Sequence, residues 1–304
     1  MRFALTAAVS VIALAACSPE AEEAETEMAE AGSEAMEAAQ DAGDAMEGGV
    51  DEAMAEGEAM AEDAELAAEN TMSEDGQPAS WGYDGEQAPE NWGSLGAEYA
   101  TCDTGLEQSP IDLVSTDMDA QNTPEINWTP VGSATVADTG KTIQVNVEDA
   151  GGLTLNGTEY SLIQFHFHAG SEHTIDGEQY PLEVHFVHAS EAGELAVVGM
   201  MFEDGAANDP LSGIWASLPD GVGETDLDVA LDPNAFLPED GAVWRYEGSL
   251  TTPPCSEGVA WTVFQTPLSA AGEQIEDFTA RYDNNYRPPQ PMNERDLREG
   301  EAAE

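Results

Sequence analysis

The sequence predicts a mainly β fold: a sheet-dominated domain over residues 78–298 with a few short helices, preceded by a disordered acidic segment. Three observations point there. At Ser80-Trp81-Gly82-Tyr83 an Ala-, Glu- and Met-rich stretch gives way to aromatics and Pro/Gly punctuation. Beyond that point apolar and polar residues alternate in short runs, the period of a half-buried strand. No long helical pattern interrupts them, and clusters of Gly, Asn and Asp mark turns between the runs.

Residues 1–17 read as a targeting segment. Arg2 is the charged start, Phe3 to Ala16 is apolar, and Leu14-Ala15-Ala16-Cys17 has the form of a bacterial lipoprotein cleavage box. The run is shorter than the roughly 20 apolar residues a membrane-spanning helix needs. The expectation is cleavage before Cys17 and lipid on that cysteine. Ser18 leans towards the outer membrane, with the domain in the periplasm or on the cell surface. Residues 18–77 hold 21 Asp and Glu and no Lys or Arg. Like charges repel and no apolar stripe forms, so this is read as a disordered spacer.

Within the domain, Thr142 to Val147 and Tyr160 to His168 alternate as strands do, and Leu182 to Val187 and Leu195 to Phe202 read as further strands. A helix of modest length is expected within Pro267 to Thr279, and residues 299–304 are read as a disordered tail. The chain carries 62 acidic and 7 basic residues, a formal charge of -55. That charge excludes nucleic acid and anionic headgroups as partners, so membrane contact is expected through the Cys17 lipid only. With Cys17 lipidated, Cys102 and Cys255 remain, either as a disulfide in an oxidising compartment or as two buried thiols.

All five histidines fall between positions 166 and 188: His166, His168, His173, His185 and His188. On a strand, Gln164, His166 and His168 share one face while Phe165 and Phe167 take the other. A neighbouring antiparallel strand carrying Glu183-Val184-His185 can deliver a third imidazole. Three neutral imidazoles leave a tetrahedral zinc with one open position, the form of a catalytic site. His188, three residues after His185, should face the other way and is read as structural, as is His173 near a turn.

The runs Ser161 to His168, Ser171 to Thr174 and Glu183 to His188 together resemble the zinc-binding core of the α-class carbonic anhydrases. Trp81-Gly82-Tyr83, Gln108 to Asp112, Ser249 to Pro254 and Asn285 to Pro288 match in order as well. The resemblance implies a single domain on a large twisted, mostly antiparallel sheet of about ten strands. It implies Zn2+ as cofactor and reversible hydration of carbon dioxide to bicarbonate, with room for a weak esterase side activity and for a homodimer. His166, His168 and His185 then match the zinc ligands, Thr251 the residue accepting a hydrogen bond from zinc-bound hydroxide, and Glu172 the carboxylate that orients Thr251. Gln164 and Glu183 match groups that fix the histidine rings, and Tyr83 an aromatic in the water network. Val187, Val197, Leu250, Val259 and Trp261 match the apolar wall for carbon dioxide, with Thr252 flanking it. The Cys102 and Cys255 placement resembles the disulfide of bacterial members.

One position departs from the family pattern. Lys141 stands where the proton-shuttle histidine is expected. An ordinary lysine ammonium titrates near 10.4, far above a zinc water near 7, and passes protons poorly. Turnover limited by proton transfer and helped by imidazole-type buffers is therefore expected. A cupin reading, built on His166-x-His168 and Glu172, lacks a second motif and leaves Leu250-Thr251-Thr252-Pro253-Pro254 without a place. A pure binding module is disfavoured because the three imidazoles, Thr251 and Glu172 are all present.

Overall fold

Strand pairing organises the molecule. The computed structural model describes residues 80–120, 122–227 and 229–303. The expected signal and lipid site at 1–17, Cys17 included, and the acidic spacer at 18–77 lie outside these residues. The strands in chain order are β1 (Asp112–Leu113), β2 (Glu125–Trp128), β3 (Ala134–Asp138), β4 (Ile143–Val147), β5 (Gly151–Leu155), β6 (Thr158–Ala169), β7 (Thr174–Ile175) and β8 (Glu178–Gln179). They continue with β9 (Leu182–Ser190), β10 (Leu195–Asp204), β11 (Gly223–Asp226), β12 (Ala242–Ser249), β13 (Glu257–Phe264), β14 (Leu268–Ala270) and β15 (Arg298–Glu301). Twelve of them form one sheet in the order β11-β3-β4-β6-β9-β10-β13-β12-β15, with β14 on β10 and the β2–β5 pair on β6. β1, β7 and β8 make a small second sheet. The large sheet is antiparallel except where β10 runs parallel to β13 and β14.

The four strands expected from alternation all form, with different ends. The long strand β6 shares one edge between two partners: β5 pairs with its first half and β4 with its second. On its other edge, the register against β9 shifts between Leu162 and Gln164. The irregularity leaves Ile163 unpaired and resets which residues face which way. Leu162 therefore joins Phe165 and Phe167 in the main core, while Ile163 packs with the opposite cluster. Simple alternation from Tyr160 to His168 does not anticipate this.

One further expectation needs correction. Residues 299–303 do not trail off as a tail: Arg298–Glu301 pairs antiparallel with β12, and the Ala303 carbonyl accepts the Ile126 N–H at 2.7 Å. The segment Arg298-Glu299-Gly300-Glu301 has no apolar alternation, because backbone pairing at the sheet edge holds it. The helix expected within Pro267 to Thr279 does form, as Gly272–Thr279 with Gln274 and Phe278 buried, and it follows strand β14. No helix among the described residues is long and apolar enough to cross a membrane.

The sheet has an apolar layer on each face. One contains Phe165, Phe167, Val184, Phe186, Val198 and Met200, covered by Leu211 and Ile214 of the helix Asp209–Ala216 and by Phe278. The other gathers Val187, Val197, Met201, Tyr246 and Trp261 against Ile111 and Leu113. A third cluster packs Trp81, Trp92 and Tyr99 on the Cys102–Cys255 disulfide. That bond closes a sequence separation of 153 residues, which in the chain-entropy model stabilises by up to about 5 kcal/mol.

His188 belongs to the first layer. Its Nε2 accepts the Trp128 indole N–H at 2.8 Å, so Nδ1 carries the proton and donates to the Ala196 carbonyl at 3.2 Å. Burial pushes its pKa down to about 4. Above an unfolded value near 6.5 the ring is neutral in both states and contributes no slope. Below it the unfolded chain binds a proton that the fold refuses. Stability should fall between pH 6.5 and 4 by on the order of 3 kcal/mol from this group. Denaturant melts at a series of pH values should show His188→Gln with lower stability at pH 7 but a shallower decline below 6.5. An unchanged acid slope would contradict the buried neutral ring.

Candidate metal centre

In the β6–β9 ladder, His166 stands opposite His185, and His168 opposite Glu183. Because side chains alternate, Gln164, His166 and His168 meet Glu183, His185 and Val187 on the face away from the phenylalanines. One ring nitrogen from each of His166, His168 and His185 lies within 4.8 Å of the others.

The second nitrogen of every ring is already engaged. His166 Nδ1 is 2.8 Å from Gln164 Oε1, His168 Nδ1 is 2.7 Å from the Asn285 carbonyl, and His185 Nε2 is 2.9 Å from Glu183 Oε1. Each partner is an acceptor, so each bonded nitrogen holds the proton. The lone pairs left over are on His166 Nε2, His168 Nε2 and His185 Nδ1. His168 Nε2 is buried with no hydrogen-bond partner. Leaving such an acceptor empty costs about 1–3 kcal/mol, and a cation held among the three lone pairs relieves it. Burial, reinforced by repulsion among the rings, holds His166 well below the ordinary histidine range. Burial takes His168 to about 4 and also lowers His185. The rings are thus neutral at pH 7, as a metal ligand must be.

Glu183 anchors the layer beneath. Its Oε2 accepts the Glu172 and His173 backbone N–H groups at 2.7 and 2.9 Å, and Oε1 meets His173 Nδ1 at 2.7 Å besides His185. Burial alone would raise this carboxyl, but His173 and His185 outweigh it and hold it well below the usual range. His173 Nε2 lies 2.7 Å from the Tyr246 hydroxyl, which donates to Ser109 Oγ at 2.9 Å. A Cβ at Gly199, across from His185, would lie 3.2 Å from Glu183 Oε1, so glycine leaves that carboxylate its room.

Glu172 is fully buried, and its Oε1 accepts the Arg287 backbone N–H at 2.7 Å. Burial pushes it up to about 7, against the pull of His185, the Thr251 hydroxyl and that N–H. The Thr251 influence acts without a hydrogen bond of ordinary geometry, since Oε2 has no such partner.

The rings open into a cleft. Its apolar wall follows from strand register: Val187 is opposite Val197, and Val197 pairs with Trp261. Leu250, Thr251 and Thr252, after β12, complete it, while Trp81, Tyr83, Thr139, Lys141, Thr142 and Gln144 form the mouth. Val259 is a correction. It is buried in the apolar cluster with Trp261, two residues along the same strand, but is not among the residues that line the cleft. Glu172 and Glu183 likewise lie beneath the surface of the cleft.

Asn285 ties these parts together, and sequence reasoning gave it no site role although it opens one of the matched motifs. Its carbonyl fixes His168, its Oδ1 accepts the Ala169 N–H at 2.8 Å, and its Nδ2 donates to the Phe167 and Lys141 carbonyls at 2.9 and 3.0 Å. Tyr246 and Ser109 were missed for the same reason: their roles pass through contacts distant in sequence.

The family model described as eukaryotic-type carbonic anhydrase matches residues 87–301. A carbonic anhydrase of Klebsiella pneumoniae is 43% identical over 219 residues, covering 71% of this chain and 89% of that protein. Among solved structures, the α-carbonic anhydrase of Thermovibrio ammonificans, in complex with sulfanilamide, matches with a TM-score of 0.66 and 41% identity over 72% of this chain and 98% of its own. A hyperthermostable carbonic anhydrase from a hydrothermal vent chimney matches with a TM-score of 0.69 and 40% identity over 73% of this chain and 100% of its own.

Asn285→Ala keeps the carbonyl that meets His168 but removes the side-chain bonds that place it. Divalent-ion affinity, measured by competition with a chelator, should weaken about tenfold. Unchanged affinity would show that the chain alone positions that carbonyl.

Proposed function

This chain belongs to the eukaryotic-type carbonic anhydrase family and catalyses the reversible hydration of carbon dioxide to bicarbonate, and from that premise we infer that Zn2+ is its cofactor, held by His166, His168 and His185. The observation that carries the inference is the buried, unpartnered His168 Nε2, beside two more lone pairs whose rings are fixed from behind. Neutral imidazole donors suit zinc. When bound, the ion lowers the pKa of a coordinated water to about 7 and so supplies the hydroxide nucleophile at neutral pH.

The chain's own residues do the rest. Glu172, buried and fixed by the Arg287 backbone, would accept a hydrogen bond from the Thr251 hydroxyl, whose proton stays on Thr251. Thr251 Oγ1 is then left to accept only, which selects a reacting oxygen that carries a proton and turns its lone pair towards the apolar wall. Val187, Val197, Leu250 and Trp261 hold the uncharged, apolar carbon dioxide there and exclude water from it. The same nucleophile can attack an activated ester, which is the basis for a weak esterase activity. Lys141 at the mouth is a poor proton carrier, so release of the proton to solvent limits turnover.

The Cys17 lipid reading complements this. The apolar run before Leu14-Ala15-Ala16-Cys17 and the acidic spacer after it would hold the domain at the outer membrane, in the periplasm or on the surface, through lipid alone.

Removing zinc with a chelator should abolish carbon dioxide hydration, and added Zn2+ should restore it. Turnover of the zinc enzyme should rise with imidazole buffer at constant pH. Full activity without metal would defeat the cofactor assignment. In a bacterial host, labelled palmitate should enter the wild-type chain and not Cys17→Ser; equal labelling would defeat the lipid reading.

A further inference from the structure

Arg287, at 2% exposure, is the most deeply buried basic residue among those described. We propose that it is a positioning residue for carbon dioxide hydration: it sets Glu172 against Thr251, its backbone holding the carboxylate and its side chain holding both ends of the loop that carries the threonine. The proposal rests on the carbonic anhydrase reading above and adds Arg287 to it.

The two groups need a hold from outside. Glu172 follows β6 and Thr251 follows β12, and β9, β10 and β13 lie between those strands in the sheet. Glu172 Oε2 is buried without a hydrogen-bond partner, so no bond of ordinary geometry at that oxygen locates the threonine. A hydroxyl–carboxylate bond is directional, and a displacement of about 1 Å at reacting groups is costly.

Arg287 reaches both sides. Its backbone N–H donates to Glu172 Oε1 at 2.7 Å. Its Nη1 donates to the Ser109 carbonyl at 2.8 Å and to Gln108 Oε1 at 2.9 Å, and its Nη2 to the Cys102 carbonyl at 2.8 Å. These three acceptors lead to the Thr251 loop. At its start, the Ser109 N–H donates to Ser249 Oγ at 2.9 Å and the Ser249 N–H to Ser109 Oγ at 3.0 Å. At its end, Gln108 Nε2 donates to the Cys255 carbonyl at 3.1 Å, and Cys102 is joined to Cys255 by the disulfide. Thr251 lies between, and the Cys255 N–H closes the turn on the Thr252 carbonyl at 2.9 Å.

The guanidinium suits this task. Its three hydrogen bonds go to neutral oxygens, and it lies 5.8 Å over the ring of the buried Trp92. Burial lowers its pKa to about 10, so it keeps its charge at neutral pH. A planar fork meets three acceptors at set angles, which an ammonium on a flexible stem does not reproduce.

A double-mutant cycle on the full-length zinc enzyme tests this, read as kcat/KM for carbon dioxide hydration together with zinc content. Arg287→Lys should keep stoichiometric zinc and lose about tenfold or more in kcat/KM. In a Thr251→Val background, where the hydroxyl is gone, the same change should cost less than about twofold. Gln108→Leu, which cuts the tie to the Cys255 carbonyl, should follow the same pattern with a smaller loss, and it decides the matter where Arg287→Lys does not fold. An equal loss in both backgrounds overturns the proposal, because it marks the residue as a general prop of the fold. So does wild-type kcat/KM in Arg287→Lys, or a loss that tracks lost zinc. A zinc-loaded wild type that hydrates no carbon dioxide would instead defeat the underlying carbonic anhydrase reading.

Discussion

Each imidazole of the candidate centre is held from behind by an acceptor, and the site depends on that constraint more than on any other. A histidine on a strand can rotate, and its two nitrogens are equivalent until something chooses between them. Here Gln164, the Asn285 carbonyl and Glu183 make the choice, ring by ring. The result is a mixed donor set of two Nε2 and one Nδ1 with lone pairs in one small volume. The buried, unpartnered His168 Nε2 is tolerable in a fold that carries a cation there and costly in one that does not.

That constraint organises its surroundings. Glu183 can hold His185 because His173 and two backbone N–H groups keep it charged in the interior, and His173 is itself placed by Tyr246 and Ser109. The sheet supplies the frame. Gln144, His166, His185 and Gly199 lie in one row across four strands, and Val187, Val197 and Trp261 form a row across three. One row carries the chemistry and the next carries the apolar wall. The register that aligns one aligns both.

Much of this was legible in the sequence, and the reason is periodicity. His166 and His168 two apart, Glu183 and His185 two apart, and phenylalanines between them gave both the strands and the faces. His188 was legible as a residue of the opposite face by the same parity. What parity misses is non-local. The irregularity at Ile163 changes faces within a run that still alternates on paper. Asn285 acts largely through a backbone carbonyl and reaches His168 across 117 positions. Strand β15 is polar throughout and exists because β12 offers a free edge. Val259 shows the limit of carrying a role over by position, since a residue can belong to the right apolar cluster without reaching the cavity.

Zinc K-edge X-ray absorption on the stoichiometrically loaded enzyme addresses the central claim most directly, because it reads the ion's neighbours atom by atom. The account predicts three imidazole nitrogens at about 2.0–2.1 Å and one light atom that exchanges with added anions. A fourth protein ligand, or fewer than three imidazoles around the ion, would contradict it.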